Sequence, residues 1–518
     1  MASTPYYIKT NRAFTGLRRF AWIGTVLIAI GGLWEPKLGL LVILIMAGLT
    51  TTAFFSGRFW CGNVCPHGSL FDVVLNPLSQ NRKIPGFLKS KPMMIGFFVL
   101  FMFNFSRKVL GAFGAWGTYN FWDRLGFVFV TTYLMVMVAG GLLAVFANSR
   151  TWCQFCPMGS LQKASYTAGK AAGVTEKTDQ LVTITHPDMC HSCGKCARVC
   201  PFQLEPYLEF NENHQFENIN CIRCSTCVEN CPAGILSLEN RAGAMELKER
   251  PLPAGFLNRQ VVTAKIIQVN VLAHDVNEYV FEFVNPREVS YEAGQFMLVK
   301  ITDNPVAYRA YSIASHDEDH RQVSMIIKRV GKGYGTSIIF DQYKVGDTIE
   351  LEGPMGDVLI PEQGTEKMLF IGNGIGITPF IPLVKEALEH RPEVTSVKLI
   401  TGQRYAKDLL YHEYFLRMAE KHPRFEYQAT VSREDAEGLP RGHVTNLLKG
   451  IDATGYKAYL CGTKAMVMDV HRTLTENGLK PTDFFFESEE KISGLSNGVK
   501  EQPQNEQNGE KARDRMAV

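Results

Sequence analysis

Apolar and polar positions divide the chain into two regimes. Through about residue 150 the apolar residues come in long runs, at 20–34, 39–55, 93–105 and 125–147. A helix crossing a bilayer needs about 20 apolar residues, so the last run suffices alone, the second is near the limit, and the first and third are short. Arg18 and Arg19 can lengthen the first by reaching for the interface. Asn104, Arg107 and Lys108 interrupt the third, which is expected to be re-entrant or to continue to Trp116. A cleaved signal segment fits poorly, because no small-residue cleavage site follows Gly31-Gly32-Leu33-Trp34 and more runs come after it. From about Asn258 the pattern becomes the alternation of half-buried strands, as in 261–271 and 279–284. Short buried runs at 367–371, 396–402 and 456–461 then predict a βα series with a parallel sheet.

At 518 residues the chain is too long for one core. The expected architecture is multidomain. An α-helical membrane domain of about four spans (residues 1–165) precedes a cysteine-rich domain (180–245). An antiparallel β-barrel (258–360) and an α/β domain (365–490) follow. The tail, 493–518, is rich in Asn, Gln, Glu and Lys without apolar periodicity and is expected to be disordered. A net charge of only +3 gives no case for nucleic acid. Lys9, Arg12, Arg18 and Arg19, with Arg58, Arg82, Lys83, Lys89 and Lys91, put the N-terminus and the second loop on the cytoplasmic side; Arg107, Lys108 and Arg124 count against that topology. The expected location is the cell (inner) membrane, multi-pass, with the domains that follow facing the cytoplasm.

Twelve of the 13 cysteines form four tight groups, each closed by Cys-Pro. Such spacing is that of metal ligands and implies reduced thiols. The strongest pattern is Cys190-x-x-Cys193-x-x-Cys196-x-x-x-Cys200-Pro201, repeated as Cys221-x-x-Cys224-x-x-Cys227-x-x-x-Cys231-Pro232. Residues 180–245 are thus expected to form a two-cluster, bacterial ferredoxin-like domain, in which the fourth ligand of each cluster comes from the other motif. The expected sets are therefore Cys190, Cys193, Cys196 and Cys231 for one [4Fe-4S] cluster, and Cys221, Cys224, Cys227 and Cys200 for the other. Zinc needs four ligands, not a proline-terminated pair of quartets.

A second repeat lies among the apolar runs. Arg58-Phe59-Trp60-Cys61…Cys65-Pro66-His67-Gly68 recurs as Arg150-Thr151-Trp152-Cys153…Cys156-Pro157-Met158-Gly159. Each copy follows an even-numbered span, so both belong at one membrane face. Cys61, Cys65, Cys153 and Cys156 could share one further cluster. A dithiol pair, a zinc knot and lipidated cysteines are the other readings. His67 is read as an interfacial polar residue or a ligand.

The second half carries nucleotide chemistry. Arg309-Ala310-Tyr311-Ser312 is followed by Gly333-Tyr334-Gly335-Thr336. Together they offer a guanidinium for a pyrophosphate, an aromatic face, a small donor and the amides of a glycine-rich helix start. A buried strand runs into Gly372-Asn373-Gly374-Ile375-Gly376-Ile377-Thr378-Pro379, where glycines let the backbone approach a pyrophosphate. Cys461-Gly462 ends another strand. A lone Cys there is by default a core residue, but a strand's C-terminal end is where a nicotinamide would lie.

These ordered motifs resemble the ferredoxin–NADP reductase superfamily over residues 258–490. The resemblance implies that the β-barrel binds FAD and the α/β domain is nucleotide-binding, for NADP(H) or NAD(H), with hydride transfer at the flavin. It further implies that Arg309 holds flavin phosphate, Tyr311 stacks on the ring, and Ser312 and Cys461 border the hydride path. Glu487 is the matching acidic residue near the last strand. Arg404 and Ser432-Arg433 fall where NADPH-using relatives bind the 2′-phosphate, though they would serve equally as solvated surface residues. The first 235 residues look like the membrane polyferredoxins of nitrate and nitrous-oxide respiration and oxidase assembly, except that the second membrane pair is one residue shorter, Cys153-Gln154-Phe155-Cys156. Taken together, the expectation is a membrane-bound NAD(P)H-dependent oxidoreductase. It would exchange electrons with a quinone or a partner redox protein. The alternative is an accessory electron-delivery or maturation protein without free substrate turnover.

Overall fold

Long apolar runs leave a backbone no partner but itself, and here they fold as helices. The structure, a computed structural model, describes residues 6–9, 12–315, 319–331, 333–488, 490–492 and 495–498. Two compact units divide the chain. One is Met1–Leu252 with Ile301–Arg309 and Lys332–Gly335; the other is Pro253–Lys300 with Ala310–Gly331 and Thr336–Val518.

In the first unit four helical stretches are long and apolar enough to cross a membrane: Gly16–Leu33, Pro36–Ser56, Lys91–Phe113 and Phe121–Phe146. The third is continuous rather than re-entrant. Asn104 satisfies its amide within the helix, donating to Leu100 O at 3.0 Å, while Arg107 and Lys108 are exposed. Small residues allow close crossings: a Cβ on Gly39 would stand 2.1 Å from Gly126 O, and one on Gly126 would stand 2.2 Å from Pro36 O. After the fourth stretch, helix Pro157–Ala171 leads to a three-stranded antiparallel sheet, with β1 (Leu181–Ile184) between β2 (Gln215–Phe216) and β3 (Leu236–Glu239). The two ferredoxin-type cysteine motifs lie in the segments that join these strands.

A six-stranded antiparallel sheet follows, formed by β4 (Gln260–Ala273), β5 (Val276–Asn285), β6 (Phe296–Asp303), β7 (Val306–Ser312), β8 (Gln322–Lys328) and β9 (Thr348–Met355). Its order is β7-β6-β9-β4-β5-β8. Among the described residues the expected closed barrel is not formed: β7 and β8 stand at opposite edges of the sheet, and Ile313, just past β7, makes an isolated bridge to Met325. The last module is a five-stranded parallel sheet of β10 (Lys367–Asn373), β11 (Ser396–Gln403), β12 (Phe425–Val431), β13 (Lys457–Gly462) and β14 (Phe484–Ser488), ordered β12-β11-β10-β13-β14. Helices Phe380–Glu389 and Lys464–Glu476 cover it through wholly buried Phe380, Val384, Val467 and Val470. Most of the tail predicted to be disordered lies outside the described residues. At its start, Asn497 accepts a hydrogen bond from Phe486 N (2.7 Å) and Gly498 N donates to Phe484 O (2.8 Å).

Candidate functional site

The nucleotide site follows from sheet order. β11 and β12 lie to one side of β10, and β13 and β14 to the other, so the chain reverses between β10 and β13. Ligands bind at such switch points, beyond the strands' C-terminal ends. The turn Gly374–Ile377 stands there, with Thr378 Oγ1 donating to Ile375 O (2.8 Å) and Pro379 capping the next helix. Gly372 pairs with Cys461 across the strands. A Cβ on Gly376 would lie 2.0 Å from the Cys461 carbonyl oxygen, so glycine is required at that position. Asn373 ties the mouth together: its Oδ1 accepts from Thr463 N (3.1 Å), and its Nδ2 donates to Thr463 Oγ1 (3.2 Å). Glu487 stands in register with Cys461 and Ser488 with Gly462. Arg404 and Arg433 are exposed at the ends of β11 and β12, joined by Arg433 N donating to Arg404 O (3.0 Å); Ser432 N donates to Gln403 O (3.0 Å).

Ser312 ends β7, and Tyr311 beside it is half-buried. Helix Tyr334–Gln342 opens directly after Gly333, with Thr336 Oγ1 accepting from Val330 N (3.1 Å). Its first amides have no intrahelical acceptors, as at any helix start. Within the first unit, Arg309 Nη1 donates to the Cys193 carbonyl (2.9 Å), and its Nη2 is buried without a partner. A phosphate oxygen is the acceptor that such an orphaned guanidinium nitrogen lacks, so these residues fit FAD. Gly335 is needed beside it, since a Cβ there would stand 2.9 Å from Arg309 Cγ. In the same unit Tyr308 N donates to Ser192 O (3.2 Å) and Tyr207 Oη to Val306 O (2.9 Å).

All 13 cysteines are free thiols. Burial, together with nearby Cys193 and Cys190, drives Cys196 well above its ordinary pKa and pushes Cys231 up to about 11. Burial raises Cys200 to about 12, with Cys224 and Cys221 adding to it. Cys227 is raised by burial and by Cys221 and Cys224. The cross-motif neighbours expected for two cubanes therefore meet: Cys231 beside Cys190 and Cys193, and Cys200 beside Cys221 and Cys224. Thiols that raise one another this way hold their anionic form only when a cation sits among them. Among the described residues, no three His, Cys, Asp or Glu side chains are grouped to hold a single metal ion.

The membrane motifs converge as well. Cys61, Cys65, Cys153 and Cys156 line one cavity of about 110 Å³, together with Arg58, His67, Arg150, Gln162 and apolar side chains of the second, third and fourth helical stretches. Burial, with Cys153 and Cys61 nearby, pushes Cys156 up to about 12. Gln162 Nε2 donates to Cys61 Sγ (3.2 Å). His67 is buried against Tyr133, with Nε2 3.3 Å from Tyr133 O; burial lowers it to about 4, so it is neutral. A Cβ on Gly62 would stand 2.0 Å from Ile222 O and 3.3 Å from Cys224 Cβ, so the first membrane motif abuts the second ferredoxin motif.

Sequence reasoning did not anticipate the buried charges. Arg18 and Arg150 both pair with Asp72, Arg150 at 2.6 Å, and all three are at most 2% exposed. Arg223, between Cys221 and Cys224, grips Asp179 through Nε (3.1 Å) and Nη2 (2.7 Å). The available signal was the repeat itself, which places an arginine three residues before a cysteine in both copies.

Residues 263–359 match the family model "Oxidoreductase FAD-binding domain" and 370–472 match "Oxidoreductase NAD-binding domain". Residues 183–232 match "4Fe-4S dicluster domain", while 38–85 and 130–173 match "4Fe-4S binding domain". The reductase subunit of an aromatic O-demethylase from Amycolatopsis sp. is 29% identical over 46% of this chain and 75% of its own length. The ferredoxin–NAD(P)+ reductase component of naphthalene 1,2-dioxygenase/salicylate 5-hydroxylase systems from Ralstonia sp. is 28% identical over 43% and 67%. A crystal structure of an Amycolatopsis cytochrome P450 reductase aligns with TM-score 0.41 and 27% identity, over 44% and 70%.

Proposed function

We propose, for an NAD(P)H oxidoreductase that joins the FAD- and NAD-binding domains of the ferredoxin–NADP reductase superfamily to 4Fe-4S domains, that it moves electrons between NAD(P)H and an acceptor at a membrane. Bound in their sites, the flavin and the cubanes supply one conversion, from two-electron hydride chemistry to single-electron transfer. The Gly374–Thr378 turn holds the dinucleotide pyrophosphate, Cys461 and Ser312 border the hydride path, and Glu487 supports Cys461 from the neighbouring strand. Arg404, Ser432 and Arg433 receive the adenosine end. Arg309 and Gly333–Thr336 hold flavin phosphate, with Tyr311 against the ring.

The observation that supports the membrane half of this reading is the close approach of Gly62, next to Cys61, to Ile222 O and Cys224 Cβ, which sets the backbone of the first Cys-Pro motif against the second ferredoxin motif. Arg18, Arg58 and Arg150 are all at most 2% exposed; Arg18 and Arg150 pair with Asp72, and among the described residues Arg58 pairs with no carboxylate. That excess of buried positive charge asks for an anionic neighbour, which a cluster on four thiolates is. On this reading Cys61, Cys65, Cys153 and Cys156 hold a third cluster, and a quinone at the membrane is its acceptor. A partner redox protein is the second reading, favoured by the relatives' names as reductase components of oxygenase systems.

Anaerobic purification with iron, sulfide and flavin quantitation tests this. About eight irons per FAD are expected from two cubanes and about twelve with the third. NADPH or NADH should bleach the flavin and develop cluster EPR signals; if neither nucleotide bleaches it, the reductase reading fails. Reduction of a soluble quinone analogue by the isolated protein supports the membrane acceptor. Electrons that stall at the clusters support a protein partner.

A further inference from the structure

The two membrane motifs exchange arginines. Arg58 Nη2 donates to Cys61 Sγ (3.7 Å) in its own copy and to the Cys153 carbonyl (3.2 Å) in the other. A Cβ on Gly159 of the second copy would meet that nitrogen at 2.8 Å. Reciprocally, Arg150 Nη1 donates to Cys153 Sγ (3.5 Å), and a Cβ on Gly68 of the first copy would meet it at 2.7 Å. The glycine two residues after each Cys-Pro therefore makes room for the other copy's guanidinium. Both arginines are 1% exposed.

The exchange is symmetric in packing but not in charge. Arg150 Nη2 is bound to Asp72 Oδ2 at 2.6 Å, and Asp72 also holds Arg18. Arg58 forms no ion pair among the described residues and instead lies over the Phe202 ring, 4.7 Å from its centre. One arginine at the thiols is thus partly neutralised and the other is not.

We propose that Arg58 and Arg150 set the reduction potential of an iron–sulfur group held by Cys61, Cys65, Cys153 and Cys156, with Asp72 attenuating Arg150 so that Arg58 exerts the stronger pull. This rests on the reading of those four cysteines given above. Reduction adds one electron to the group without making or breaking a bond. A buried guanidinium at hydrogen-bonding distance from a ligand sulfur stabilises the more negative, reduced form, and burial removes the salt screening that weakens such an effect at a surface. Asp72 opposes it with the contrary sign.

The test is an EPR-monitored redox titration of the full-length protein in detergent, under anaerobic conditions. The cluster expected at Cys190, Cys193, Cys196 and Cys231 serves as internal reference. Arg58→Gln should lower the midpoint of the third signal by about tenfold or more in the one-electron equilibrium, about 59 mV, and leave the reference in place. Arg58→Lys keeps the charge and should stay closer to the unsubstituted protein. Asp72→Asn should move the midpoint upward. An unchanged midpoint in Arg58→Gln, equal shifts in the Lys and Gln variants, or a downward shift in Asp72→Asn each overturn the proposal. If Arg58→Gln fails to retain the cluster, Arg150→Gln decides: a downward shift supports the proposal and an unmoved midpoint refutes it. Absence of any third signal and of its iron in the unsubstituted protein sinks the cysteine assignment instead, which keeps the two failures distinct.

Discussion

Gly376→Ala is the sharpest probe of the nucleotide module. The new Cβ would stand 2.0 Å from the Cys461 carbonyl oxygen and 2.6 Å from its carbon. Ordinary contact begins at 3.4 Å, so the groups must part by 3.4 − 2.0 = 1.4 Å. No rotamer can absorb that, because both sides are backbone and β10 is laddered to β13 up to the Gly372↔Cys461 pair. Overpacking costs about 1–3 kcal/mol, and backbone against backbone belongs at the upper end. Expressed at the mouth of the site, about 3 kcal/mol weakens nucleotide binding roughly 100-fold. Gly374→Ala is the control: nothing lies within 4 Å of its Cβ, and only a φ of +61° opposes the change, a penalty of about 1 kcal/mol. Titrating NADH and NADPH against the flavin spectrum in both variants measures the difference. Equal affinities, at full flavin content, would refute the argument.

Asp179→Ala strips two hydrogen bonds from a guanidinium that is 2% exposed, and with them the 2.8 Å bond from Tyr166 Oη. Orphaning a buried charge costs about 3–5 kcal/mol, so the melting temperature should fall and iron should be lost from the Cys221 motif; an unmoved melting curve contradicts this. Cys61→Ala and Cys153→Ala should bring iron from about twelve to about eight per flavin while NAD(P)H still bleaches the flavin, and an unaltered iron content would count against the third cluster. Burial alone would raise the Asp72 carboxyl, but Arg150, Arg18 and Arg12 outweigh it and hold the group well below its usual range. The unfolded chain therefore binds the proton first. The stabilisation is present above about pH 4 and is lost as pH falls toward the folded value. Asp72→Asn should flatten the acid limb of a stability–pH profile, and an unchanged limb would disprove the linkage.

Periodicity and cysteine spacing made much of this legible. Four apolar stretches were readable because a helix able to cross a bilayer must be apolar along its length. The third was read too short because a polar residue looks like an interruption until the helix is built, when Asn104 finds Leu100 O one turn back. The cross-motif cysteine neighbours followed from a known cage geometry. Closure of the antiparallel sheet was not readable, since it depends on pairing between strands that are edges in one arrangement and neighbours in another. The buried ion pairs were hidden for a related reason. Asp72 lies 54 residues from Arg18 and 78 from Arg150, and such distant partners leave no local signature.

The reciprocal seating of Arg58 over Gly159 and of Arg150 over Gly68 bears on how the protein is made. Half of the duplicated unit is not half of a working receptacle, because each copy borrows its wall from the other. A nascent chain halted before residue 150 would present two thiols beside a vacant socket. On the proposed reading of these thiols, metal loading there must await synthesis of the second copy, which makes assembly of that receptacle an ordered process: the protein wall first, the inorganic cargo second.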